Sequence, residues 1–596
     1  MTSPLPARPL AALIALCFAA WLYGWRVVDP SSAQWLLHGD PAQHYIGSVF
    51  FSGEPWHWPP GRIDTFGDSP TSVVFTDSIA LLAFAAKLLA VVGLWPAHWQ
   101  YFGLWMLACH ALAGWQAVAL LQRLGVRDGV ALQLGAAFFA TAPMLLLRAY
   151  GHESLMAHFV VLAALALCAG AALWRWKTWL AWCVLAVLVH PYLAVIVAVL
   201  GLCAAVQAWR IGAVRAAGLL RQGVLAALVL GCVAWLAGYG VGQGQRSAFG
   251  FGFFSANLLS WVDPMDWHAF STLHQRLTSY IGEWSALLPA QAQATAGQYE
   301  GFAYMGAGML LLWVLALAFR LPGPPRPAQA IPASVWVGTA LLALWGVSNV
   351  VTLGAHTLLT LPLPPPLDVA AGVFRASGRF VWPISYLLMA LAIARLAAPA
   401  YKYKHAGIDS AQWPSPIAPT YRWPVALLAG ALVLQLFDLH DKFGEFRSRF
   451  RVGPPGIAQP LQSPQWAALL ARCPRVQMLT LQQEVAGWEA PALAAATHGA
   501  RFAPAPTARA QPLTEAQRRE HVQRHLQGGW QSGTLHWVHP SALQLVAQAV
   551  LPAGVGMQTI DGYTVVAGAG CWGAGSVRNS IGRAGDAPPA PPPGLG

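Results

Sequence analysis

From residue 9 to Asp438 the chain alternates apolar blocks, such as residues 9–28, 155–173, 224–239 and 302–319, with short polar connectors. Blocks like these approach the roughly 20 residues that a helix needs to cross hydrocarbon, and counting them predicts about eleven spans. The block at 9–28 has no clear small-residue cleavage site and reads as an uncleaved first helix. Residues 78–93 are also apolar but carry Lys87 near their middle, which is costly in hydrocarbon, so a juxtamembrane or re-entrant helix is expected there.

After Asp438 the pattern becomes that of an ordinary soluble region. Residues 476–481 and 563–566 read as strands and 514–526 as a polar helix. The predicted fold is therefore an all-α polytopic membrane protein, residues 1–438, followed by a small extracytoplasmic α/β domain, 439–586. A proline-rich tail, 587–596, is expected to be disordered. Three long loops interrupt the membrane part, at 29–100, 240–301 and 354–378.

Composition agrees with that division. Hydrophobic residues make up 56% of the 596 positions and charged residues only 10%, and the mean hydropathy is +0.49. The net charge of +12 could point to nucleic acid, but its placement argues against such a partner. Arg123, Arg127, Arg175, Lys177, Arg210, Arg215, Arg320, Arg326, Lys402 and Lys404 fall in short connectors of one parity. The long loops of the other parity are poorer in cations, with Arg26, Arg62, Arg246, Arg276, Arg375 and Arg379 among the few. The short-loop bias places the N-terminus in the cytoplasm and the C-terminal domain outside, as in a multi-pass protein of a bacterial inner membrane with a periplasmic domain. Six cysteines lie in apolar runs and read as small buried side chains. Cys473 and Cys571 bracket the C-terminal region and form the natural disulfide pair if that region is extracytoplasmic.

Candidate chemistry gathers in the long loops. The first opens His38-Gly39-Asp40-Pro41-Ala42-Gln43-His44-Tyr45 and closes Thr76-Asp77-Ser78, with Glu54, Asp64 and Asp68 between. A carboxylate soon after a first span, at the headgroup plane, can take a proton from an attacking hydroxyl. It can also hold a divalent cation against a phosphate leaving group. Asp40 and Asp77 are the residues for either task, and both also suit helix caps; Asp64 and Asp68 read as turn residues.

Arg148-Ala149-Tyr150-Gly151-His152-Glu153 adds a cation, an imidazole and an acid at an outer edge. In Phe374-Arg375-Ala376-Ser377-Gly378-Arg379, two arginines four apart with Ser377 between them make the best anion site. Residues 251–259, with Asn257, and Glu300 further on read as an amphipathic lid that orients a substrate. His158 and His190 read as core or kink residues. No phosphate-binding Gly-rich loop, zinc-spaced Cys/His set or nucleophile elbow is present in the sequence, which argues against an ATP-driven pump.

The first helix, an acid-bearing first loop, juxtamembrane helices, many spans and an outer C-terminal domain resemble the GT-C superfamily of membrane glycosyltransferases. More closely, Gly39-Asp40-Pro41-Ala42-Gln43-His44-Tyr45, Phe75-Thr76-Asp77-Ser78-Ile79, Gly151-His152-Glu153, His190-Pro191-Tyr192, Ser255-Ala256-Asn257 and the Arg375/Arg379 string are similar to motifs of a bacterial membrane-protein family known only as a domain of unknown function. The GT-C likeness implies transfer of a sugar from a polyprenyl-phosphate donor, amid membrane lipids, to an extracytoplasmic acceptor. Asp40 would match the first-loop catalytic acid, although Pro41 stands where such enzymes often carry a second acid. His44, Tyr45, Arg148, His152, Glu153, Asn257, Glu300, Arg375, Ser377 and Arg379 would then contact substrate. A transporter or flippase, or a non-catalytic partner in envelope polysaccharide assembly, is the rival expectation.

Overall fold

The computed structural model describes the chain apart from residues 1–5, 170–173, 243–249, 266–283, 319–330, 398–421, 454–456, 483–486, 506, 508–513, 528–529 and 573–596. The basic connectors at 320–326 and 402–404, Arg246, Arg276 and the tail at 587–596 lie outside the described residues. The chain divides into two compact units.

The first unit, Gly103–Gly231 with the segments up to Arg26 and up to Val452, is helical apart from one hairpin. Four helices are long and apolar enough to cross a membrane: Phe102–Arg123, Pro191–Arg210, Ala216–Ala237 and Ser377–Ala397. Two bent pairs, Gly129–Ala140 with Pro143–Tyr150 and Trp423–Asp438 with His440–Val452, bring the number to six if each is one span. The expected count of about eleven is therefore not met among the described residues.

The reason is that apolar runs do not equal helices. Residues 302–319 read as one block, but the helix begins only at Ala307. Gly306 before it takes φ +83°, and a Cβ there would collide with the Gln435 amide. The helices Ala7–Tyr23, Glu153–Cys168, Trp176–Val189 and Ala333–Val347 likewise stop short of the length that spans hydrocarbon. Ala216–Ala237 has no buried residue in its most apolar stretch, and Leu220 and Leu228 are 71% and 66% exposed, as a lipid-facing helix requires. Cys17 and Cys232 are exposed on such faces, a departure from the expectation that all six apolar-run cysteines are buried.

Two imidazoles inside this unit meet phenols. His158 Nδ1 lies 2.6 Å from the Tyr386 hydroxyl, and His110 Nε2 lies 2.9 Å from that of Tyr23. His190 caps the Pro191–Arg210 helix by accepting the Tyr192 N–H.

The second unit joins Val27–Phe102, the stretch from Cys232 and the chain from Gly453. Numbered along the chain, β1 Arg62–Ile63 pairs with β2 Thr71–Ser72 in this unit, and β3 Val350–Leu353 with β4 His356–Thr360 in the helical one. The centre of the second unit is a sheet of five strands, β5 Arg475–Leu479, β6 Arg501–Ala503, β7 Thr534–Val538, β8 Val555–Ile560 and β9 Tyr563–Gly568, in the order β6-β5-β7-β9-β8. β5 runs parallel to β6 and β7, and β9 antiparallel to β7 and β8. Parallel neighbours need crossovers, which the helices Glu489–Thr497 and Glu515–Leu526 supply. The latter starts with a reciprocal capping box between Thr514 and Gln517.

The loop after the first helix continues this sheet. Phe502 on β6 donates its N–H to the Thr65 carbonyl at 2.9 Å and accepts from Gly67 at 2.8 Å, while the Arg501 guanidinium donates to the Gly67 carbonyl. The sequence reading assigned that loop, 29–100, to the membrane part. Asp64 and Asp68 sit in the turn between Arg62–Ile63 and Thr71–Ser72, the turn role expected of them. Lys87 is buried rather than facing lipid. Its ammonium donates to the Pro55 carbonyl and lies over the Phe51 and Trp56 rings, 4.2 and 4.6 Å from their centroids. Burial lowers it to about 8, and the Glu54 carboxylate pulls the other way.

Cys473 and Cys571 form a disulfide, Cα atoms 5.6 Å apart, across a separation of 98 residues. A closure of that length restricts the unfolded chain and is worth roughly 2–5 kcal/mol. Thiol reduction is expected to lower the melting temperature of the wild type and to leave that of Cys473→Ser, already low, unmoved.

Candidate functional site

Two clusters hold the residues singled out from sequence, one in each unit. In the sheet-bearing unit, the helix Gly39–Gly53 begins after an extended His38 that makes no side-chain cap. Asp40 is its second residue and is exposed. The Thr76–Ser78 loop is pinned to the same helix: the Ser78 hydroxyl donates to the His44 carbonyl at 2.6 Å, and a Cβ on Gly47 would overlap the Thr76 side chain. The Tyr101 hydroxyl donates to the Ser78 carbonyl.

Asp77 and Ile79 take φ of +53° and +54°. A β-branched residue is strained in that region, and such strain persists only where the surroundings impose it. The helix that follows begins at Ala80 with Ile79 as its N-cap, so Asp77 is not its cap. Burial first, and the Asp77 carboxylate second, raise the Tyr239 phenol.

His44 and Tyr45, expected to touch substrate, are buried in packing. The His44 ring stacks against Phe102, and the Tyr45 hydroxyl donates to the His98 carbonyl at 2.7 Å. Among the described residues no three His, Cys, Asp or Glu side chains gather as a metal set. Asp40 and Asp77 by themselves do not fit a divalent-cation site, and no step through a cation is derived.

In the helical unit the 3₁₀ turns Gln298–Gly301 and Ser377–Val381 cross at backbone distance. A Cβ on Gly378 would run into the Gly301 backbone, and one on Gly301 into the backbone of Ala256. This approach delivers Arg379 to Glu300, with Nε to Oε2 at 2.9 Å and a second guanidinium nitrogen to Oε1 at 2.5 Å. Arg148 reaches the same carboxylate from the other side at 2.6 Å and the Glu300 carbonyl at 3.2 Å. His152 Nε2 is 3.8 Å away and partly exposed. Arg379 lies 4.7 Å from the Tyr192 ring centroid, and Arg148 5.1 Å from that of Trp382. Burial by itself raises the Glu300 carboxyl, but the guanidiniums of Arg379 and Arg148 outweigh it and hold the group well below the usual range.

The cluster corrects three expectations. Arg379 does not pair with Arg375 as an open anion site, because Glu300 already binds it through both oxygens. Glu300 is a counter-ion of two arginines rather than a lid residue. Asn257 is committed to the backbone and to Gln298: its amide donates to Gln298 and to the Gly354 carbonyl and accepts from the Leu259 and Gly354 N–H groups, so residues 251–259 form a knitted loop rather than an amphipathic lid.

Ser377 is buried and donates to the Gly346 carbonyl, and Glu153 is buried with its carbonyl accepting from Trp105. Arg375 is half-buried, 5.5 Å from the Phe254 centroid. Gly378→Ala must force the two turns apart and is expected to destabilise by roughly 1–3 kcal/mol, read as a lower melting temperature in detergent.

Sequence reasoning missed Asp438, whose buried carboxylate accepts from the Tyr304 hydroxyl at 2.7 Å and from the Ala307 N–H at 2.9 Å, capping the helix there. It also passed over Glu489, 7% exposed in the C-terminal region. For Glu489 the available signal was a lone acid set between Trp488 and the Ala490-Pro491 pair, an apolar setting in which an acid is rarely buried without a partner.

No curated protein matches the chain. A family model described as a domain of unknown function, DUF6311, matches residues 12–440, and the model of the DUF6311 C-terminal domain matches residues 465–568. With most of its length covered by that pair, the chain belongs to the DUF6311 family.

Proposed function

We propose that this protein is an integral membrane glycosyltransferase of the GT-C kind, which moves a sugar from a polyprenyl-phosphate donor to a glycan, lipid or protein acceptor. The reaction takes place at the periplasmic face of a bacterial inner membrane, with the N-terminus cytoplasmic. Asp40 removes the proton from the acceptor hydroxyl as its oxygen bonds to the anomeric carbon. The bond from that carbon to the phosphate oxygen breaks, and the lipid phosphate departs with the electron pair. Asp77 assists as the second acid.

The observation that carries the reading is the exposed Asp40 at the start of a helix to which the strained Asp77 loop is pinned.

The test is Asp40→Asn in a lipid-linked sugar transfer assay. Unchanged product at normal protein level rejects the enzyme. A transporter is the second reading, favoured by His110 and His158 wholly buried within apolar helices. It predicts that substrate movement across vesicles, rather than product, responds to substitutions there.

A further inference from the structure

The helix His440–Val452 follows the apolar helix ending at Asp438 after a bend of 53°. Phe443, Phe446 and Phe450, spaced i, i+3 and i+7, are buried and fasten one of its faces to the first helix, Ala7–Tyr23. The Phe443 ring lies 5.4 Å from that of Phe18 and 6.1 Å from that of Trp21, and Phe450 lies 5.0 Å from Tyr23. The rest of the helix is rich in cations, with Lys442, Arg447, Arg449 and Arg451 against Asp441 and Glu445.

Part of that charge is neutralised within the fold. Lys442 is buried and donates to Glu445 at 2.6 Å, and the Tyr150 hydroxyl donates to the same carboxylate. Arg449 is buried over the Tyr150 ring, and Asp441 faces His440 at 3.0 Å. Arg447 and Arg451, four apart on one flank, meet no carboxylate among the described residues. The Arg447 guanidinium lies 4.7 Å from the Trp21 ring centroid, and its Nε is buried without an acceptor among the described residues. Arg451 is exposed, and its stem runs beside Gly24, where a Cβ would stand 3.8 Å from its Cγ. Arg26 donates to the Arg451 and Val452 carbonyls at 3.3 Å each, closing the helix at its C-terminus.

Three guanidiniums therefore gather where the first helix ends, and two indoles stand with them: Trp21 and Trp25 are 46% and 79% exposed. Below Trp21, Cys17 and Ile14 continue an exposed apolar stripe at helical spacing. Indoles favour the boundary between hydrocarbon and water. Guanidinium forks match phosphate oxygens, and cations at the edge of apolar helices draw anionic headgroups.

We propose that Trp21, Trp25, Arg26, Arg447 and Arg451 form a binding surface for an anionic phospholipid, whose phosphate accepts from Arg447 and Arg451 while an acyl chain lies along the stripe of Ile14, Cys17 and Trp21. No part of the transferase chemistry is required for it.

The experiment uses the full chain in mild detergent, titrated with phosphatidylglycerol or with phosphatidylcholine of the same acyl chains, and bound lipid is counted by native mass spectrometry. Wild type is expected to bind phosphatidylglycerol at least about tenfold more tightly than phosphatidylcholine, whose choline offsets the phosphate charge. Arg447→Gln combined with Arg451→Gln should weaken phosphatidylglycerol about 25-fold, roughly fivefold for each cation, and leave phosphatidylcholine binding and the lipid-free melting temperature in place. Arg447→Lys with Arg451→Lys keeps both charges and should lose no more than about threefold.

Equal affinity of wild type for the two lipids overturns the proposal, as does unchanged phosphatidylglycerol binding in the double glutamine variant. Displacement of the lipid by millimolar inorganic phosphate would assign the arginines to a free anion instead and overturn it too. Should the glutamine variant fail to fold, ionic strength decides: between about 50 and 500 mM salt, wild-type binding of phosphatidylglycerol must weaken more than about tenfold, and salt-insensitive binding rejects the surface.

Discussion

Glu300→Ala is expected to leave almost no folded protein. The substitution strands the buried guanidiniums of Arg148 and Arg379 without their shared counter-ion, and removing one partner of a buried ion pair costs about 3–5 kcal/mol. Against a total stability of roughly 5–15 kcal/mol, that loss is large for one side chain and falls here on two cations. Fluorescence-detected size exclusion in mild detergent should show a collapsed monomer peak.

Glu300→Gln keeps two acceptor sites at most and should recover little. The instructive variant replaces all three residues with apolar side chains of similar size, because a buried charge set exchanged as a whole is often neutral or stabilising. A triple variant that folds but no longer acts would show that the arginines serve chemistry as well as architecture. A stable Glu300→Ala would sink the account of the cluster.

Asp40→Asn should behave in the opposite way, with normal yield and melting temperature but transfer reduced by about 10²–10⁴-fold, the usual contribution of a positioned general base. The contrast follows from exposure. Asp40 is exposed in the first turn of a helix, where its charge against the helix dipole is worth about 0.3–1 kcal/mol, so asparagine there costs little folding energy. A matching loss of stability would reassign the residue to structure.

The sequence carried the division of labour along the chain better than the elements themselves. Hydropathy marked out the C-terminal α/β region, and β5, β9 and the helix Glu515–Leu526 lie close to the strands and polar helix expected there, while the loop 29–100 and the helix His440–Val452 fall in the other unit from the one expected. It misjudged span number because Gly306 and the short helices break runs that are apolar throughout. Arg148, Glu300 and Arg379 were each legible as polar groups at outer edges, but their mutual neutralisation was not. That depends on Gly378 meeting Gly301, 77 positions earlier in the chain, a contact no local pattern encodes.

The loop at Thr65–Gly67 hydrogen-bonds to Phe502, and Gly61 donates its N–H to the Leu236 carbonyl at 2.9 Å. Those three points of the polypeptide consequently lie on one side of any bilayer that the helices between them cross. Whatever the count of crossings, it must be even between the first and second of these passages and even again between the second and third. Insertion during synthesis therefore has only paired routes open to it, and a deletion that removes a single traverse would strand the strand edge and its docking segment on opposite sides of the lipid.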